Sequence, residues 1–448
     1  MNMYIDYSEE VKKALDEHRP IVAIETGGTF EGIPYPENAK TALTVMEEVR
    51  KAGATPAYIA IMDGRVKVGM NDTEIDKYAS MRGTMQKASR REIPQIIAQG
   101  KNGVMTIAAT MVIADYVGIP VVSGGGIGGV HRGAEVSMDI SSDLEEIVER
   151  NVIVVCSGAK SILDLNLTME YLETKAVSVI GYKTDELPAY MARNSGIKLT
   201  CRMDDVNTIA NTYRIKNNFG IKTGIILANP IDEEYAVDAD LMNNVIDEAV
   251  NKSIEDKISG KAITGYLMKY VKEKMGSESM EAQKHMIIQN AMLAAEVAAT
   301  IVGADVTTSN IAEFDRNQLI NIAIDNQKNS YAPYSNYNVS AAVLMSSGKI
   351  YTGVNVENAS YPAGICAERN AISHAIACGE NTIEAIAIVG GPNYSINDYC
   401  PPCGICRQVM REFCEPSKMH VILAKSPTDY KEMTLEELLP ESFGPEML

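Results

Sequence analysis

The chain has 448 residues, of which 46% are apolar and 22% are charged, so we expect two or three domains of roughly 100–200 residues with substantial cores. The 41 Lys and Arg residues against 59 Asp and Glu residues give a formal charge of -18, which excludes a nucleic-acid polymer and an anionic membrane surface as default partners. The sequence has no basic, hydrophobic leader and no uninterrupted apolar run of roughly 18 residues, so we expect a cytoplasmic protein that does not act in a membrane.

Residues 1–303 alternate between short apolar runs and amphipathic helical segments. The apolar runs predict buried strands at 21–25, 57–62, 103–109, 121–123, 152–156, 177–181 and 224–229. Helical periodicity predicts helices at 41–52, 142–149, 236–253 and 281–302. This alternation is typical of an α/β fold, in which helices cover both faces of a mostly parallel sheet. Because ligands of such folds bind at the carboxyl ends of the strands, the residues after each run are the candidates for chemistry.

Ionisable residues gather at these strand ends. Glu25 ends the first run, Lys160 follows the run at 152–156, and a glycine-rich loop at 124–129 leads to His131 and Asp139. Each residue also has an ordinary structural interpretation: a lysine after a strand is usually solvated, and Asp139 and Asp143 suit helix N-caps. Taken together, a carboxylic acid, an amine and a pair of aspartates suit an anionic sugar substrate, a metal ion and amine chemistry.

A second domain begins after a polar segment without periodicity at 304–313, which we interpret as a linker between domains at 1–303 and 314–448. The pattern after it predicts further strands at 339–344, 350–356, 385–389 and 419–423. It also predicts helices at 316–327, 366–378 and 403–413, with a short tail at the end.

The cysteines of this second domain predict a zinc centre. Of the eight cysteines, six lie after residue 360, and such uneven usage without a secretory leader favours metal binding or catalysis over disulfides. Cys366 and Glu368 form a Cys-x-Glu motif, and Cys403 and Cys406 form a Pro-Cys-x-x-Cys motif about 35 residues later, the spacing of zinc deaminases. Three thiolates leave one tetrahedral position of Zn²⁺ for water, and Glu368 would move the protons of that water.

Two features can offset the excess negative charge of three thiolates on Zn²⁺. Both motifs open predicted helices, whose N-termini carry partial positive charge, and Arg369 and Arg407 lie beside the ligands in the sequence. The alternative to a catalytic centre is a structural zinc knot in which Cys400 or Cys414 supplies the fourth ligand.

From about Phe314 to the end, the sequence resembles the homotetrameric cytidine deaminases. The resemblance rests on Tyr-Ala-Pro-Tyr-Ser-Asn-Tyr at 331–337, on the Asn-Val-Glu and Cys-Ala-Glu motifs within 353–369, and on Cys-Gly-Ile-Cys-Arg-Gln at 403–408. It implies a deaminase α/β/α fold that binds Zn²⁺ and converts cytidine or deoxycytidine to uridine or deoxyuridine. It also implies active sites shared between subunits of a homo-oligomer.

This resemblance assigns substrate contacts as well. Asn355, Val356 and Glu357 form the substrate-binding segment, in which the Asn and the Glu would bind the ribose hydroxyls. Phe443 would reach the base in a neighbouring subunit, and Tyr337 stands where the family often has a Phe against the base. Ser340 and Pro401 depart from the usual residues but remove no catalytic group.

Residues 8–303 resemble the pseudouridine-5′-phosphate glycosidases, which cleave a C–C glycosidic bond to give uracil and ribose 5-phosphate. The motifs are Ala-Ile-Glu-Thr around Glu25, Lys-Ala-Ser-Arg-Arg at 87–91, the glycine-rich segment at 125–135, and the segments 157–164 and 181–188. The resemblance implies an α/β/α sandwich with Lys160 as the Schiff-base nucleophile, Glu25 as the proton donor and Asp139 as a Mn²⁺ ligand. The substrate-binding positions that it implies are Lys87, Ile107, His131, Ser141, Ser142 and Asp143.

Several pocket positions depart from the glycosidase pattern. The residues after Glu25 are Thr26–Gly28 instead of Ser-Thr, Glu31 replaces a His, Gly124 replaces a Thr, and Gln283 replaces an Asn. The covalent machinery is retained, whereas the contacts to the base or the phosphate are expected to change.

The sequence therefore predicts a bifunctional pyrimidine-salvage enzyme whose partners are small nucleosides and nucleotides. Two alternatives remain open for the N-terminal domain, which could act on a different nucleoside or nucleotide, or could be a non-catalytic oligomerisation module of an active deaminase.

Overall fold

The chain divides into two units, Met1–Val306 and Thr307–Leu448. In the described residues, the first unit holds an eleven-stranded sheet and a separate two-stranded sheet, and the second unit holds a five-stranded sheet. The computed structural model describes residues 3–256, 258, 262–307 and 314–447. The last helix of the first unit extends to Thr307, so the first four positions of the predicted linker at 304–313 are helical. The rest of that predicted linker lies outside the described residues.

The first unit contains thirteen strands and eleven helices within the described residues. The strands are β1 (Ile5–Tyr7), β2 (Ile21–Ile24), β3 (Thr55–Met62), β4 (Arg65–Val68), β5 (Gln86–Ala88), β6 (Gly103–Met105), β7 (Val121–Ser123), β8 (Val130–His131), β9 (Ile153–Cys156), β10 (Leu163–Asp164), β11 (Ser178–Tyr182), β12 (Arg202–Met203) and β13 (Ile225–Ala228). The helices are α1 (Glu9–Asp16), α2 (Glu37–Lys51), α3 (Asp72–Ser80), α4 (Ile93–Ala98), α5 (Ile107–Tyr116), α6 (Ala134–Ser137), α7 (Ser142–Glu149), α8 (Leu165–Thr174), α9 (Val206–Asn218), α10 (Ala239–Glu255) and α11 (Ala262–Thr307).

The centre of the first sheet is parallel, with the order β3-β2-β7-β9-β13-β11-β12. Every residue of β2, β3, β9 and β13 is buried, which requires cover on both faces of the sheet and explains why these runs are continuously apolar. The predicted α/β fold is confirmed. Because the strands are parallel, the loops after β2, β7 and β9 meet at one edge of the sheet.

One predicted strand is partly wrong. The apolar run at 103–109 ends as a strand at Met105, and helix α5 begins at Ile107. Thr106 causes the change, because its side chain accepts a hydrogen bond from the N–H of Ala109 at 3.3 Å and so caps the helix. Most residues of α5 are buried, so the helix has apolar residues on all of its sides. A helix of this kind has no amphipathic period in its sequence, and its pattern looks the same as that of a buried strand.

Helix α11 closes the first unit. It is interrupted at Gly276, whose φ of 60° and ψ of -136° are accessible to glycine. Within the described residues, Gly265–Gly303 is long and apolar enough to cross a membrane, but 56% of its most apolar window is buried. Its buried side chains, among them Met286 and Ala291, belong to the core of the first unit. We therefore interpret α11 as a core helix.

The second unit is built on a five-stranded mixed sheet with the order β15-β14-β16-β17-β18. Its strands are β14 (Tyr337–Met345), β15 (Ile350–Val354), β16 (Ile383–Pro392), β17 (His420–Ser426) and β18 (Asp429–Thr434). Its helices are α12 (Arg316–Asn326), α13 (Ala367–Ala377), α14 (Gly404–Glu412) and α15 (Leu435–Leu438). The segment predicted as a tail contains β18 and α15. The sequence of β18 did not predict a strand, because most of its residues are polar and only partly buried.

Alternate residues of β16 build two separate cores. Ile386 and Ile388 pack on the face that holds α13 and α14, whereas Ala385 and Ala387 pack on the face that holds α12. This period of two places the sheet between two helical layers and confirms the predicted α/β/α deaminase fold.

We expect Gly353→Ala to destabilise the second unit by about 1–3 kcal/mol, because a Cβ at this position would lie 2.2 Å from the nitrogen of Ala371 and 2.5 Å from the oxygen of Ala367. The added methyl group would push α13 away from β15. Calorimetric unfolding of the full chain measures the effect. Gly404→Ala is the control for stability, because a Cβ there meets open space. Equal melting temperatures for the two variants would contradict this account of the packing.

Candidate active sites

Glu25 follows β2 at the carboxyl edge of the first sheet. Its Oε2 atom accepts a hydrogen bond from the N–H of Gly28 at 3.2 Å. A Cβ on Gly27 would lie 2.6 Å from Oε1, so glycine is needed for the backbone to fold around the carboxylate. Loss of hydration in the protein interior raises the pKa of Glu25, while the charge of Lys160 lowers it. A carboxyl group with a raised pKa is suited to donate a proton.

Lys160 lies in the loop after β9, where its backbone N–H donates to the oxygen of Ile127 at 3.1 Å. The loop is sharply folded, since Gly158 has a φ of 69° and a Cβ there would lie 2.0 Å from the oxygen of Pro188. The charges of Lys160, Lys87 and Asp143 all act on Glu25. The structure thus brings these four predicted site residues together.

Asp143 joins two walls of this site. Its Oδ1 atom accepts the N–H of Ala108 at 2.8 Å, and its Oδ2 atom accepts the N–H of Gly128 at 2.7 Å. Asp143 therefore ties the start of α5, with the predicted contact residue Ile107, to the glycine-rich loop. The N-cap of α7 is Ser141, whose hydroxyl accepts from the N–H of Asp143 at 3.2 Å, and not one of the two aspartates.

Ser142 extends this wall toward the segment that carries Lys87. Its hydroxyl lies 2.6 Å from the hydroxyl of Ser89, which belongs to the Lys-Ala-Ser-Arg-Arg motif. The segment that carries Lys87 and the segment 141–143 therefore adjoin each other.

Asp139 and His131 follow the glycine-rich loop, and the charges of Lys87 and Lys160 act on His131 as well. The N–H of His131 donates to the backbone oxygen of Asp139 at 3.0 Å, and loss of hydration lowers the pKa of the imidazole, which Asp139 partly opposes. The Oδ2 atom of Asp139 is buried without a hydrogen-bond partner in the part of the chain that the structure describes. A buried, unpartnered carboxylate oxygen fits a hard cation such as Mn²⁺.

The described residues hold no group of three metal-type ligands around Asp139. A cation there would take its other ligands from water or substrate, as Mg²⁺-like cations commonly do.

The sequence patterns missed the polar network beneath the glycine-rich loop. Asn290 of α11 donates to the oxygen of Gly124 at 2.9 Å, lies 3.2 Å from the hydroxyl of Ser157, and accepts from Asn229 at 2.9 Å. Both asparagines are buried. The signal was present, because Asn290 is a polar residue in the apolar period of a core helix.

Tyr190 was also missed. It is buried, has a φ of 60°, and its ring would lie 2.6 Å from a Cβ on Gly126. A strained, buried tyrosine against the glycine-rich loop is a feature of the kind that concentrates at functional sites.

The departures from the glycosidase pattern also have structural consequences. A Cβ at Gly124 would lie 2.8 Å from Cδ1 of Ile107, so a larger residue would displace this side chain. Thr26 is buried and joins the oxygen of Ile59 to the N–H of Met105 through its hydroxyl, at 3.1 and 2.9 Å. The carboxylate of Glu31 accepts the N–H of Gly83 at 3.1 Å.

In the second unit, the three predicted zinc ligands converge. Cys366 is the N-cap of α13, Cys403 is the N-cap of α14, and Cys406 lies in the first turn of α14. The Sγ atoms of Cys366 and Cys403 are 3.9 Å apart, those of Cys403 and Cys406 are 3.4 Å apart, and all three lie within 4.8 Å of one another. Three convergent thiols at two helix N-termini fit a Zn²⁺ ion.

Cys400 and Cys414 do not belong to this group in the described part of the chain. Burial raises the pKa of each thiol to about 11, and the charge of Glu368 adds to the effect at Cys400. A centre with three ligands keeps a position open for water, whereas the alternative of a four-cysteine knot would not.

Glu368 lies in the first turn of α13 beside the thiols, with only 4% of its surface exposed. Burial, together with negative charge at Cys366, raises the pKa of its carboxyl group. Arg369 donates to the Sγ atom of Cys366 at 3.9 Å and to the oxygen of Gly364 at 3.3 Å.

Arg407 does not contact the thiols in the same way. It donates to the backbone oxygens of Pro402, at 2.9 Å, and Leu438, at 2.6 Å. Arg369 therefore places its positive charge directly beside the sulfur of Cys366. Arg407 instead binds the backbone of the Pro-Cys-x-x-Cys motif.

The predicted nucleoside contacts lie on two loops. The amide oxygen of Asn355, directly after β15, accepts the hydroxyl of Ser330 at 2.6 Å and the N–H of Val339 at 2.9 Å. Asn355 thus joins the end of β15 to β14 and to the segment before it. Glu357 accepts the N–H groups of Tyr334 and Ser335 at 2.9 and 3.2 Å. A hydrogen bond from the side chain of Ser335, together with these two N–H groups, lowers the pKa of Glu357.

The remaining predicted contacts are more exposed. Val356 pairs with Ile365 next to the cysteine motif. Tyr337 is 38% exposed and Phe443 is 55% exposed. An apolar side chain left this open in a single chain is available to a second molecule.

The first unit matches a family model described as indigoidine synthase A like protein over residues 10–300. Pseudouridine-5′-phosphate glycosidase 2 of Photorhabdus laumondii is 46% identical over 297 residues, which cover 66% of this chain and 95% of that protein. Among solved structures, the prealnumycin C-glycosynthase AlnA, in complex with ribulose 5-phosphate, is 37% identical with a TM-score of 0.64, over 68% of this chain and 100% of the other.

The second unit matches the model of the cytidine and deoxycytidylate deaminase zinc-binding region over residues 314–423. The solved cytidine deaminase of Burkholderia pseudomallei is 41% identical, over 28% of this chain and 97% of the other, with a TM-score of 0.26. The chain therefore belongs to the indigoidine synthase A-like family that includes the pseudouridine-5′-phosphate glycosidases, and it carries a cytidine deaminase zinc-binding domain in its C-terminal part.

Proposed function

We propose that the chain is a bifunctional, cytoplasmic enzyme of pyrimidine salvage. Its first unit would release uracil and ribose 5-phosphate from pseudouridine 5′-phosphate, and its second unit would deaminate cytidine and deoxycytidine. The deaminase family takes unphosphorylated nucleosides, whereas the glycosidase family takes a 5′-phosphate, so the proposal does not require direct transfer of a product between the sites.

The placement of a carboxyl group after β2 and an amine after β9, the two strands on either side of β7, supports the first activity. Lys160, as the neutral amine, would attack C1′ of the sugar. The electron pair of the broken C–C bond would pass to the uracil ring, whose carbon takes a proton from Glu25. The adduct would then open as the lone pair of its nitrogen forms the C=N bond, the C1′–O4′ bond breaks, and O4′ takes the proton that the nitrogen releases. Water would hydrolyse this Schiff base to ribose 5-phosphate and the free amine.

Around this chemistry, the binding residues would hold the charged substrate. Lys87, Ser141 and Ser142 offer donors suited to a phosphate or sugar oxygen. Asp139, with His131 next to it, would hold Mn²⁺, which supplies positive charge for the anionic substrate. Asp143 would act through the backbone that it secures, because both of its oxygens already accept N–H groups.

The convergence of three thiols with a buried Glu368 carries the second activity. Cys366, Cys403 and Cys406 would hold Zn²⁺, which would supply a bound water of lowered pKa. Glu368 would accept the proton of that water, donate a proton to N3 of the ring, and later donate one to the departing amine.

We expect Lys160→Ala to abolish uracil release from pseudouridine 5′-phosphate in the presence of Mn²⁺, because no other group would form the covalent adduct. Chromatography of the products measures this, and unchanged thermal unfolding of the same variant shows that the first unit is folded. Failure of the unmodified protein to release uracil would favour a different substrate or a non-catalytic module. A panel of C- and N-nucleosides and their 5′-phosphates would then separate these two alternatives.

We expect Glu368→Gln to retain one zinc ion while deamination of cytidine falls by at least about 10²-fold, since proton transfer is lost and the ligands remain. Metal analysis and uridine formation measure the two effects. Cys366→Ala should lose the metal, whereas Cys400→Ser should keep it. Loss of zinc from Cys400→Ser would instead indicate a four-cysteine knot.

We expect the protein to form a homo-oligomer, with light scattering giving a multiple of the 48.7 kDa chain mass. The exposed rings of Phe443, Tyr331 and Tyr361 support this expectation, since exposed apolar side chains are available to a second molecule. Phe443→Ala should weaken cytidine turnover if this residue completes the site of another subunit. A monomer with full deaminase activity would contradict the assignment of Phe443.

A further inference from the structure

A single π-helical turn, Gly27–Glu31, follows Glu25 and shapes the backbone around its carboxylate. The turn is very tight: a Cβ on Gly32 would lie 2.0 Å from the oxygen of Gly28, so glycine is required there. Single π-helical turns are uncommon and occur frequently at functional sites. The question is what holds this turn in place.

Helix α11 supplies two contacts to the turn, one from each side of its break at Gly276. Before the break, Lys272 donates to the oxygen of Gly32. After it, the Nε2 atom of Gln283 donates to the oxygen of Gly28 at 2.7 Å. Gln283 is only 2% exposed, so this hydrogen bond is shielded from water and from competing donors.

The amide orientation of Gln283 follows from its partner. A carbonyl oxygen can only accept, so the nitrogen of the amide must face Gly28. The Oε1 atom is then buried without a hydrogen-bond partner in the described residues. A buried acceptor of this kind is destabilising, so stability alone does not account for a glutamine at this position.

Gly28 is held from two directions, because its oxygen accepts from Gln283 and its N–H donates to Oε2 of Glu25. We propose that Gln283 is a positioning residue for Glu25, which holds Gly28 so that its N–H orients the carboxyl group toward the reacting bond. This inference rests on the proposed role of Glu25 as proton donor. It also explains what Gln283 does in place of the Asn of the glycosidase pattern, because its amide binds the backbone oxygen of Gly28.

Loss of the contact should change the protonation of Glu25 as well as its orientation. Burial has the largest effect on the carboxyl group and favours its neutral form; the N–H of Gly28 and the charges of Lys160 and Lys87 favour the ionised form, and Asp143 opposes it. The titratable side chains of Tyr58, Tyr78 and Tyr190 also interact with Glu25. If the N–H turns away, the acid stays protonated to higher pH. The alkaline limb of the pH profile for kcat should therefore move upward.

The test compares Gln283→Met with Gln289→Met in the full chain. Both changes keep the length of the side chain and remove an amide from α11, but Gln289 donates to the oxygen of Pro230 at 3.2 Å and not to the turn. We expect Gln283→Met to lower kcat for uracil release by about tenfold, with KM within about twofold, the effect of one lost hydrogen bond on the reacting geometry. Gln289→Met should keep the unmodified kcat.

A second measurement does not depend on catalysis. Hydrogen–deuterium exchange of a peptide covering residues 25–33 should be faster in Gln283→Met and unchanged in Gln289→Met. Unchanged exchange, unchanged kcat, or equal losses in the two variants would overturn the proposal. If the unmodified protein releases no uracil, the proposed glycosidase function fails, and the exchange of this peptide alone then decides whether Gln283 positions the turn.

Discussion

Close approach of backbone segments is the constraint on which both sites depend. In the first unit, a Cβ on Gly128 would lie 2.2 Å from the hydroxyl of Ser141, and one on Gly158 would lie 2.0 Å from the oxygen of Pro188. In the second unit, Gly353 allows α13 to lie directly on β15, which brings Cys366 and Glu368 to the Pro-Cys-x-x-Cys motif. Any side chain at these positions would separate the segments that carry the reactive groups.

Buried hydrogen bonds convert this close packing into defined geometry. Asp143 joins the start of α5 to the glycine-rich loop, and Asn290 holds the same loop from the helix beneath it. In the second unit, Asn355 and Glu357 secure the loops around the deaminase motif through backbone N–H groups. Each of these residues hydrogen-bonds more than one backbone group, so the main chain around both sites is paired by side chains.

The electrostatics of the two sites differ from those of the whole chain. The sequence carries a net charge of -18, yet lysines 87 and 160 act together on Glu25. In the deaminase site, Arg369 contacts Cys366 and the thiols lie at helix N-termini. Local positive charge therefore exists where an anionic substrate or a metal thiolate centre is proposed, because a few placed groups outweigh a diffuse surface charge at short range.

The sequence by itself determined the α/β class, both family memberships and which three cysteines converge in the second unit. These depend on local patterns, such as continuous apolar runs and the spacing of Cys366, Glu368, Cys403 and Cys406. It could not distinguish the buried helix α5 from a strand, because a segment buried on all sides has no amphipathic period. It also missed β18, which is too polar for a strand signal.

Only the tertiary structure decided which polar residues share one site. Asn290 and Tyr190 lie far from Gly124 and Gly126 in the sequence, and no local pattern joins them. The fold also gave different roles to Arg369 and Arg407, which occupy similar places beside their motifs in the sequence. Arg369 contacts a thiol, whereas Arg407 binds backbone oxygens. The physical reason is that strand order and side-chain direction, which set these contacts, arise from long-range packing and not from neighbouring residues.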